Sequence, residues 1–421
     1  MKEDFLHFIW QHRLYDAARL TTTVGDGITV LQTGFLNHSS GPDFSEARIG
    51  FDQTTWAGSV EIHLRSSDWF AHGHDSDSAY DNVILHVVYE HDREVTTTTG
   101  DVIPTLELKG RIRKDLLVRY GQLQKSKSEV PCAKSLPDIP TIFWRNWLDR
   151  VLAERLERKA GEVELHLKHH EGHWLQVYYT LLAGYLGGNW NKLPMFELTR
   201  RVPLRIIGLY KDDPLKREAI LLGTAGWIPE DSQDPYVRLL KREFEHLSNK
   251  YSIQPLHQIW KTGRIRPDNA PVHRIVQLSG LCVSMEEAFE QLIEQGAYDW
   301  QEVPLSRSAF WDHNLGFAIP RRNMGERISQ SMSDLLAINV HAPLLFQYGL
   351  HTGDVGLKSL AIEGLGSVAP ENNVVIRKWM KWVGRPESAA DTQALLELNT
   401  CYCTPKKCVI CNVGRTIISR A

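Results

Sequence analysis

The spacing of hydrophobic residues changes along the chain, and each spacing predicts a different type of element. Near the N-terminus Phe5, Ile9 and Leu14 follow a roughly helical stripe, which predicts a helix over residues 1–18. Residues 28–112 instead hold short, β-branched-rich segments separated by turn residues, which predict four or five strands. The predicted strands are 28–34, 46–51, 54–64, 82–90 and 104–112. One helix followed by such strands indicates a compact α/β module.

After the strand region the period changes again. Trp147 and Val151 open a long stretch with helical spacing, and later segments repeat that pattern, which predicts a mostly α-helical domain. The polar run 121–140 marks the boundary between the two patterns. The sequence therefore predicts an α/β module over residues 1–120 and a helical domain over residues 121–421.

Length and composition are those of a folded protein of two or three domains. The chain has 421 residues, 42% of them hydrophobic and 24% charged. The formal net charge of −3 gives no overall nucleic-acid footprint, so a nucleic-acid partner would need a local basic patch. There is no apolar run long enough to predict a membrane span, and the charged N-terminus lacks the apolar core of a signal peptide. A cytoplasmic protein is expected.

Acidic residues and histidines cluster in the strand region. Asp43 follows Pro42 and opens a strand, whereas Glu61 lies in mid-strand, on the same face as His63 by strand alternation. Two carboxylates brought together by neighbouring strands repel each other unless they share a cation or a proton. Mg²⁺ or Mn²⁺ suits such oxygen ligands, and His63 is then placed to assist an attacking water.

This arrangement resembles the signature of the PD-(D/E)XK nucleases. The chain has Pro42-Asp43, a gap of seventeen residues and then Glu61-Ile62-His63, with histidine where these enzymes usually have lysine. The resemblance implies a restriction-endonuclease-like fold, metal-dependent cleavage of DNA or RNA, and metal ligation by Asp43 and Glu61. It also implies that His63 positions water, although a neutral histidine stabilises transition-state charge less than lysine does.

Three further details bear on this resemblance. A glutamate in the first helix sometimes adds a metal ligand in these nucleases, and Glu3 is the matching position here. A literal Glu-X-Lys occurs at Glu107-Leu108-Lys109, but its upstream aspartates lie in a predicted hairpin turn, so it ranks second. The histidine at position 63 and the acidic balance favour an alternative, a catalytically inactive nucleic-acid-binding or scaffold protein.

Two more histidines follow in the segment DWFAHGHD. His72 and His74 have a His-X-His spacing common among metal ligands, because an extended segment puts both rings on one side, and Gly73 lets the backbone turn. A third functional hypothesis is therefore a zinc hydrolase that uses His63, His72 and His74. His86 has apolar neighbours on both sides and is expected to be a core histidine.

The C-terminal end carries a Cys cluster, with four of the six cysteines at positions 401–411. Cys-X-X-Cys turns commonly place two thiolates on one ion, so the cluster predicts a Zn²⁺ or [4Fe–4S] site. One possible ligand set is Cys401, Cys403, Cys408 and Cys411. In the alternative, Cys132 from the inter-domain segment supplies the fourth ligand. Gly414 suits the close backbone approach that such a turn needs.

Basic and aromatic residues provide candidate contacts to nucleic acid. Arg264, Arg266 and Arg274 lie in a loop-like segment and suit phosphate contacts, although a solvated loop is the more common role of such charges. Trp69 is placed either to stack on a base or to fill the core. The sequence has no P-loop and no Gly-X-Ser-X-Gly motif, which leaves nucleotide hydrolysis and α/β-hydrolase chemistry unsupported.

The chain as a whole resembles a bacterial family catalogued only as a domain of unknown function. The matching stretches include LNHSSGPDFSEARI, GSVEIHLRSSDWFAHGHD, YDNVILHVV, IPTLELKGRI, WLDRVLAERLERK and the terminal YCTPKKCVICNVG. They are spread over nearly all of the 421 residues. The resemblance implies membership of that family and transfers no activity.

Overall fold

The chain divides into two compact units. The structure, a computed structural model, describes residues 1–37, 39–51, 53–257, 260–317, 319–320 and 324–420. Unit 1 comprises Met1–Trp147, Lys381–Val383 and Glu397–Ala421, and unit 2 comprises Leu148–Met380 and Gly384–Leu396. The predicted sheet region lies in unit 1, and unit 2 is mostly helical, as the change of hydrophobic period predicts.

Unit 1 is built around one seven-stranded sheet. Its strands are β1 (Leu20–Thr21), β2 (Gly27–Gln32), β3 (Phe35–Leu36), β4 (Phe44–Phe51), β5 (Thr54–Arg65), β6 (Val83–Glu90) and β7 (Thr105–Glu107). The strand order is β1-β2-β4-β5-β6-β7, and β3 pairs with β4. Strands β2, β4 and β5 are antiparallel neighbours, whereas β5, β6 and β7 run parallel.

The register of the central strands decides which side chains meet. Phe44 lies opposite Val60 in the β4–β5 ladder, so the residue before β4 comes next to Glu61. In the parallel β5–β6 ladder Glu61 lies opposite His86. Strand β5 has a paired neighbour on each side, and the helical segments Glu3–Gln11 and Asp68–Ala71 pack against it, so the side chains of its middle residues are buried.

The helices are numbered along the whole chain. They are α1 (Glu3–Gln11), α2 (Asp68–Ala71), α3 (Lys114–Lys125), α4 (Thr141–His169), α5 (Trp174–Leu186), α6 (Gly188–Arg201), α7 (Leu204–Gly208), α8 (Pro214–Thr224), α9 (Pro235–Tyr251), α10 (Pro271–Leu281), α11 (Met285–Gln295), α12 (Gln330–Leu336), α13 (Ala342–Thr352), α14 (Val355–Ser367), α15 (Val374–Val383), α16 (Ala389–Glu397) and α17 (Asn412–Ser419). Unit 2 also contains a two-stranded pair, β8 (Asn314–Gly316) and β9 (Ile319–Pro320). Its apolar core is formed by facing helices, with Tyr178, Leu222 and Leu278 fully buried.

Each of the five predicted strands overlaps an observed strand, β2 or one of β4 to β7, although β7 covers only Thr105–Glu107 of the predicted 104–112. The first helix is shorter than predicted and ends at Gln11, because Arg13 takes a left-handed conformation with φ of +50°. The C-terminal segment belongs to unit 1 rather than to the helical part, since α17 packs against α3 and buries Ile418. Among the described residues, no helix is long and apolar enough to cross a membrane.

Candidate metal centre

Strand β5 presents Glu61 and His63 on one face, as its alternation predicts. Both side chains are buried, at 5% and 1% exposure respectively. Buried titratable groups are costly unless they are hydrogen-bonded, paired or bound to a metal. The surroundings of these two residues therefore decide what the face can do.

A network of side-chain hydrogen bonds holds the segment that follows β5. Asp92 Oδ1 accepts hydrogen bonds from Ser66 Oγ and from the Ser67 N–H, each at 2.9 Å, and its Oδ2 accepts one from Ser67 Oγ at 2.8 Å. Trp69 in α2 is fully buried, and its Nε1–H donates to the Thr96 carbonyl at 3.1 Å. These contacts fix the direction in which the chain leaves the sheet.

The predicted turn at Gly73 is confirmed, with φ of +76°, a conformation that glycine adopts without strain. His72 lies at the C-terminal end of α2, and His74 begins a short 3₁₀ helix, so the His-X-His segment is a helical turn rather than extended. The Tyr80 ring stacks on His74 with 3.7 Å between ring centroids. His72 is exposed and His74 is buried.

The donor atoms of Glu61 and three histidines converge. His63 Nε2 lies 3.0 Å from His72 Nδ1, and Glu61 Oε1 lies 3.6 Å from His63 Nε2 and 3.3 Å from His74 Nε2. One ring nitrogen from each histidine lies within 4.8 Å of the other two. A tetrahedral zinc ion with bonds of about 2.0–2.1 Å separates its ligand atoms by about 3.3 Å. The three measured separations are close to that spacing, and the donors found to lie within 4.8 Å of one another are those of the three histidines, without Glu61.

Asp43 lies next to Glu61, as predicted, but each carboxylate is held by the other strand. The Asp43 N–H donates to Glu61 Oε2 at 2.9 Å, and the Ile62 N–H donates to Asp43 Oδ2 at 3.0 Å. His7 Nε2 on α1 is 3.1 Å from the same Asp43 oxygen, and Glu3, one helical turn earlier, interacts electrostatically with both. The second oxygen of Glu61 faces the histidines.

His86 is fully buried, as expected of a core histidine, but it also contacts the centre. Its Nε2 lies 2.9 Å from His63 Nδ1. If His63 Nε2 binds a metal ion, the proton of that ring is on Nδ1 and is donated to His86. The sequence did not indicate this role, or that of His7, since both depend on strand pairing and helix packing.

Burial shifts the pKa values of the centre toward neutral forms. Burial raises the pKa of Glu61 to about 8, and the Asp43 carboxylate adds to the rise. Burial also lowers the pKa of His63 to about 3, with repulsion from His72 and His74 adding to the fall. Burial also lowers the pKa of His74, and repulsion from His72 adds to the fall. Neutral imidazole is the form that binds a metal ion, and a cation would offset the cost of ionised Glu61.

The profile of one protein family matches residues 3–374. It is described as "Protein of unknown function (DUF2851)". The chain belongs to this family. No curated protein and no solved structure matches the chain. In this DUF2851 protein the matched range contains the whole histidine centre, whereas the Cys cluster and the terminal YCTPKKCVICNVG stretch lie beyond its end.

The second-ranked candidate, Glu107-Leu108-Lys109, contacts residues at the ends of β6 and β7 rather than the histidine centre. Lys109 Nζ pairs with Glu90 Oε1 at 2.6 Å. Glu107 Oε2 accepts a hydrogen bond from the His91 N–H at 3.0 Å. Both residues thus hold the end of the β6–β7 ladder together.

Two of the predicted nucleic-acid contacts are buried instead. Trp69 fills the core beneath α2, since it has no exposed surface. Arg274 is 8% exposed on α10 and donates to Gln277 Oε1 at 2.6 Å, so its charge serves the packing of unit 2. Arg264 and Arg266 are exposed.

Proposed function

We propose that this DUF2851 protein is a transition-metal-dependent hydrolase whose centre is formed by His63, His72, His74 and Glu61. The observation that carries the proposal is the spacing of the donor atoms, which is 3.0 to 3.6 Å for the measured pairs. Imidazole suits zinc and similar ions, whereas Mg²⁺ prefers oxygen ligands and retained waters. The donor set therefore favours zinc.

The burial of the four donors indicates how such a centre works. His63 and His74 are buried and, together with exposed His72, would hold the ion, which leaves the fourth tetrahedral position open for water beside Glu61. His72 marks the side from which substrate and water enter. Zinc at such a site lowers the pKa of bound water and polarises an oxygen of the substrate. His86 positions the His63 ring by accepting its second proton.

Phosphodiester hydrolysis is the proposed reaction. The supporting observation is that α1 is followed along the chain by strands β1 to β5, with Asp43 just before β4 and Glu61 within β5. That order is the one expected from the resemblance to the PD-(D/E)XK nucleases. The substrate would be DNA or RNA.

A second candidate is the Mg²⁺- or Mn²⁺-dependent nuclease in which Asp43 and Glu61 hold the ion. It is favoured by the proximity of these carboxylates, since Asp43 contributes to the raised pKa of Glu61. Against it, the free side of Glu61 faces imidazoles rather than Asp43. The third candidate, a scaffold without catalysis, predicts no hydrolysis with any ion.

The test compares metal-loaded wild-type protein with two histidine variants. His72→Ala removes the exposed ligand, and His246→Ala, an exposed histidine on α9, is the matched control. Cleavage of bis-p-nitrophenyl phosphate and of single- and double-stranded DNA and RNA is measured with Zn²⁺, Mn²⁺ and Mg²⁺. We expect zinc- or manganese-dependent cleavage that falls at least about a hundredfold in His72→Ala and is unchanged in His246→Ala.

Two results would reject this proposal. Activity that survives in His72→Ala but disappears in Asp43→Ala, with Mg²⁺ as the preferred ion, identifies the two-carboxylate nuclease. A wild-type protein that binds zinc stoichiometrically but cleaves no substrate with any ion supports the scaffold.

A further inference from the structure

A cavity in unit 2 carries positive charge that its own lining does not balance. Its volume is about 350 Å³, and ligand sites commonly have volumes of about 300–1,000 Å³. The described residues that line it include Arg264, Arg266 and Arg274 but no aspartate or glutamate. A concave site lined by charges of one sign concentrates ligands of the opposite sign. The cavity is therefore suited to an anionic group.

Arg264 and Arg266 supply the exposed part of this charge. Neither guanidinium makes a hydrogen bond or an ion pair with any residue that the structure describes. A guanidinium presents five N–H donors in a planar fork that matches the oxygens of a phosphate group. These two side chains can therefore bind phosphate without first breaking an ion pair within the protein.

Arg274 supplies the buried part of the charge, since it is 8% exposed. Its Nη1 donates to Gln277 Oε1 at 2.6 Å and its Nη2 donates to Asn269 Oδ1, and both acceptors are neutral amides. Its Nε–H has no partner among the described residues. Burial lowers the pKa of Arg274 to about 10, and attraction to Asp268 opposes this fall only in part. An anion in the cavity would stabilise this buried charge.

Trp190 lines the same cavity, yet it is 70% exposed. It precedes a kink in α6 at Asn191, which has φ of −118° and ψ of +16°. A β-carbon at Gly187 would lie 2.6 Å from the Asn191 carbonyl oxygen, so glycine permits the backbone to approach this closely. An indole ring that remains in solvent offers a flat face on which an unpaired base can stack.

Asn191 connects the tryptophan to the segment that carries the exposed arginines. Its side chain is buried, its Nδ2 donates to the Lys261 carbonyl at 3.0 Å, and its Oδ1 accepts the Lys261 N–H at 2.9 Å. This reciprocal pair holds the beginning of segment 261–269 against the beginning of α6. The aromatic and the cationic parts of the lining are therefore fixed to each other by a buried contact.

We propose that this cavity binds single-stranded nucleic acid, with one base stacked on Trp190 and neighbouring phosphates held by Arg264 and Arg266. A single strand is required because the faces of the bases in a duplex are already stacked on one another. Two exposed arginines suit successive phosphates of a strand, and the buried charge of Arg274 adds to the attraction. The choice of a polymer over a free nucleotide rests on the proposed phosphodiester hydrolysis.

The first test measures the binding of a short fluorescein-labelled oligo(dT) strand to the full-length protein by fluorescence anisotropy, with EDTA present to prevent hydrolysis. Trp190→Ala should weaken binding about 5- to 150-fold, the effect of losing one stacked base. Trp190→Phe should restore most of the affinity. Leu193→Ala, at a position on the same helix that is 72% exposed, is the control and should bind as wild type does. Equal affinities of Trp190→Ala and wild type would overturn the proposal.

The second test measures how the affinity for this strand depends on salt. Each phosphate contact to a single strand contributes about 0.7 to the slope of log K against log salt concentration, so removal of Arg264 and Arg266 together should reduce the slope by about 1.4. The control removes Arg238 and Arg242, two exposed arginines of α9. An unchanged slope without Arg264 and Arg266, or an equal reduction in the control, would contradict the proposal.

Competition with two unlabelled ligands identifies the form of nucleic acid. The same strand annealed to its complement, and free thymidine monophosphate, should each compete at least about tenfold less well than the single strand. Equal competition by either ligand would overturn the assignment to a single strand. Strand binding by a wild-type protein that hydrolyses no substrate rejects the proposed hydrolase and supports this site. Hydrolysis by wild type together with unchanged strand binding in the Trp190 and arginine variants rejects this site alone.

Discussion

Both units bury charged or titratable side chains, but they stabilise them differently. In unit 2, Arg217 is fully buried and donates to the carbonyls of Tyr210, Ser279 and Ser306 at 2.7, 3.2 and 2.9 Å. Its positive charge is thus dispersed over backbone oxygens. This arrangement satisfies the guanidinium without any ligand.

The neighbouring acid in unit 2 is treated in the same way. Glu218, also fully buried, accepts from the Ser308 N–H at 2.8 Å, from Ser308 Oγ at 2.5 Å and from the Tyr236 hydroxyl at 2.6 Å. Trp311 Nε1–H donates to that hydroxyl at 3.0 Å and completes the network. Each of these groups meets a complementary protein group.

In unit 1 the buried groups are mainly imidazoles that meet one another. His63 contacts His72 and His86 through its two nitrogens, and Glu61 Oε1 faces His63 and His74. A cation bound to His63 Nε2 would satisfy the ring nitrogens around it, whereas Arg217 and Glu218 in unit 2 are already satisfied by protein groups. Burial alone therefore does not mark a functional site; the chemical match among the buried groups does.

The largest expected effect is loss of the proposed zinc site in unit 1. His63→Ala should lower zinc affinity at least about a hundredfold, because it removes a ligand and also the hydrogen bond to His86. Calorimetric titration with zinc measures this loss, with His246→Ala as the control. A zinc affinity in His63→Ala equal to that of wild type would show that the buried histidines of unit 1 do not bind the ion.

The second expected effect is on the stability of unit 2. Arg217→Met should lower the free energy of unfolding by about 3–5 kcal/mol, because several buried carbonyls lose their donor. The shift of the urea midpoint measures it, and Arg238→Met, at an exposed position on α9, is the control. Zinc affinity should stay at the wild-type value. A stability change below 1 kcal/mol would mean that the network contributes little.

Lys159 makes the stability of unit 2 depend on pH. Lys159 is 8% exposed and donates to Asn339 Oδ1 at 2.7 Å. Burial lowers its pKa from 10.5 to about 7, with repulsion from Arg155 adding to the fall. Below pH 7 Lys159 is protonated in both the folded and the unfolded state, so the full cost of burying its charge lowers the stability. Between pH 7 and 10.5 the unfolded state holds more protons, so this residue makes stability rise with pH.

Lys159→Met removes this dependence. At pH 7 we expect the variant to be more stable than wild type by about 2–3 kcal/mol, after subtracting the lost hydrogen bond. The difference should shrink as the pH approaches 10.5. Urea unfolding of both proteins across this range measures it. A difference that does not change with pH would mean that Lys159 stays protonated in the folded protein.

The smallest expected effect concerns the outer contacts of the centre. Asp43 Oδ2 accepts the Ile62 N–H and lies 3.1 Å from His7 Nε2, whereas it is Glu61 Oε1 that faces His63 and His74. Asp43→Asn should therefore weaken zinc binding only about 10- to 100-fold, or about 1.4–2.7 kcal/mol. Competition with a chromophoric chelator measures it. Complete loss of zinc binding in Asp43→Asn would indicate that Asp43 binds the ion directly.

The hydrophobic period and the turn residues of the sequence predicted much of unit 1. The alternation in β5 predicted that Glu61 and His63 lie on one face, and Gly73 predicted the turn before His74. These are local features, because they depend on a period of two and on one residue that tolerates positive φ. The proximity of Asp43 was also predictable, since short antiparallel connections place consecutive strands side by side.

The remaining features depend on packing between distant segments. His86 reaches His63 through a parallel ladder, whose register no local pattern specifies. His7 reaches Asp43 because α1 packs on β5. The return of the C-terminal segment to unit 1 was missed because helical periodicity does not indicate which core a helix joins.

Anomalous diffraction at the zinc absorption edge, from crystals of the zinc-loaded protein, would locate the ion itself. We predict one ion about 2.0–2.2 Å from ring nitrogens of His63, His72 and His74, with its fourth position open to water beside Glu61. An anomalous map without a peak among these histidines, or with an ion held by Asp43 and Glu61 alone, would contradict it.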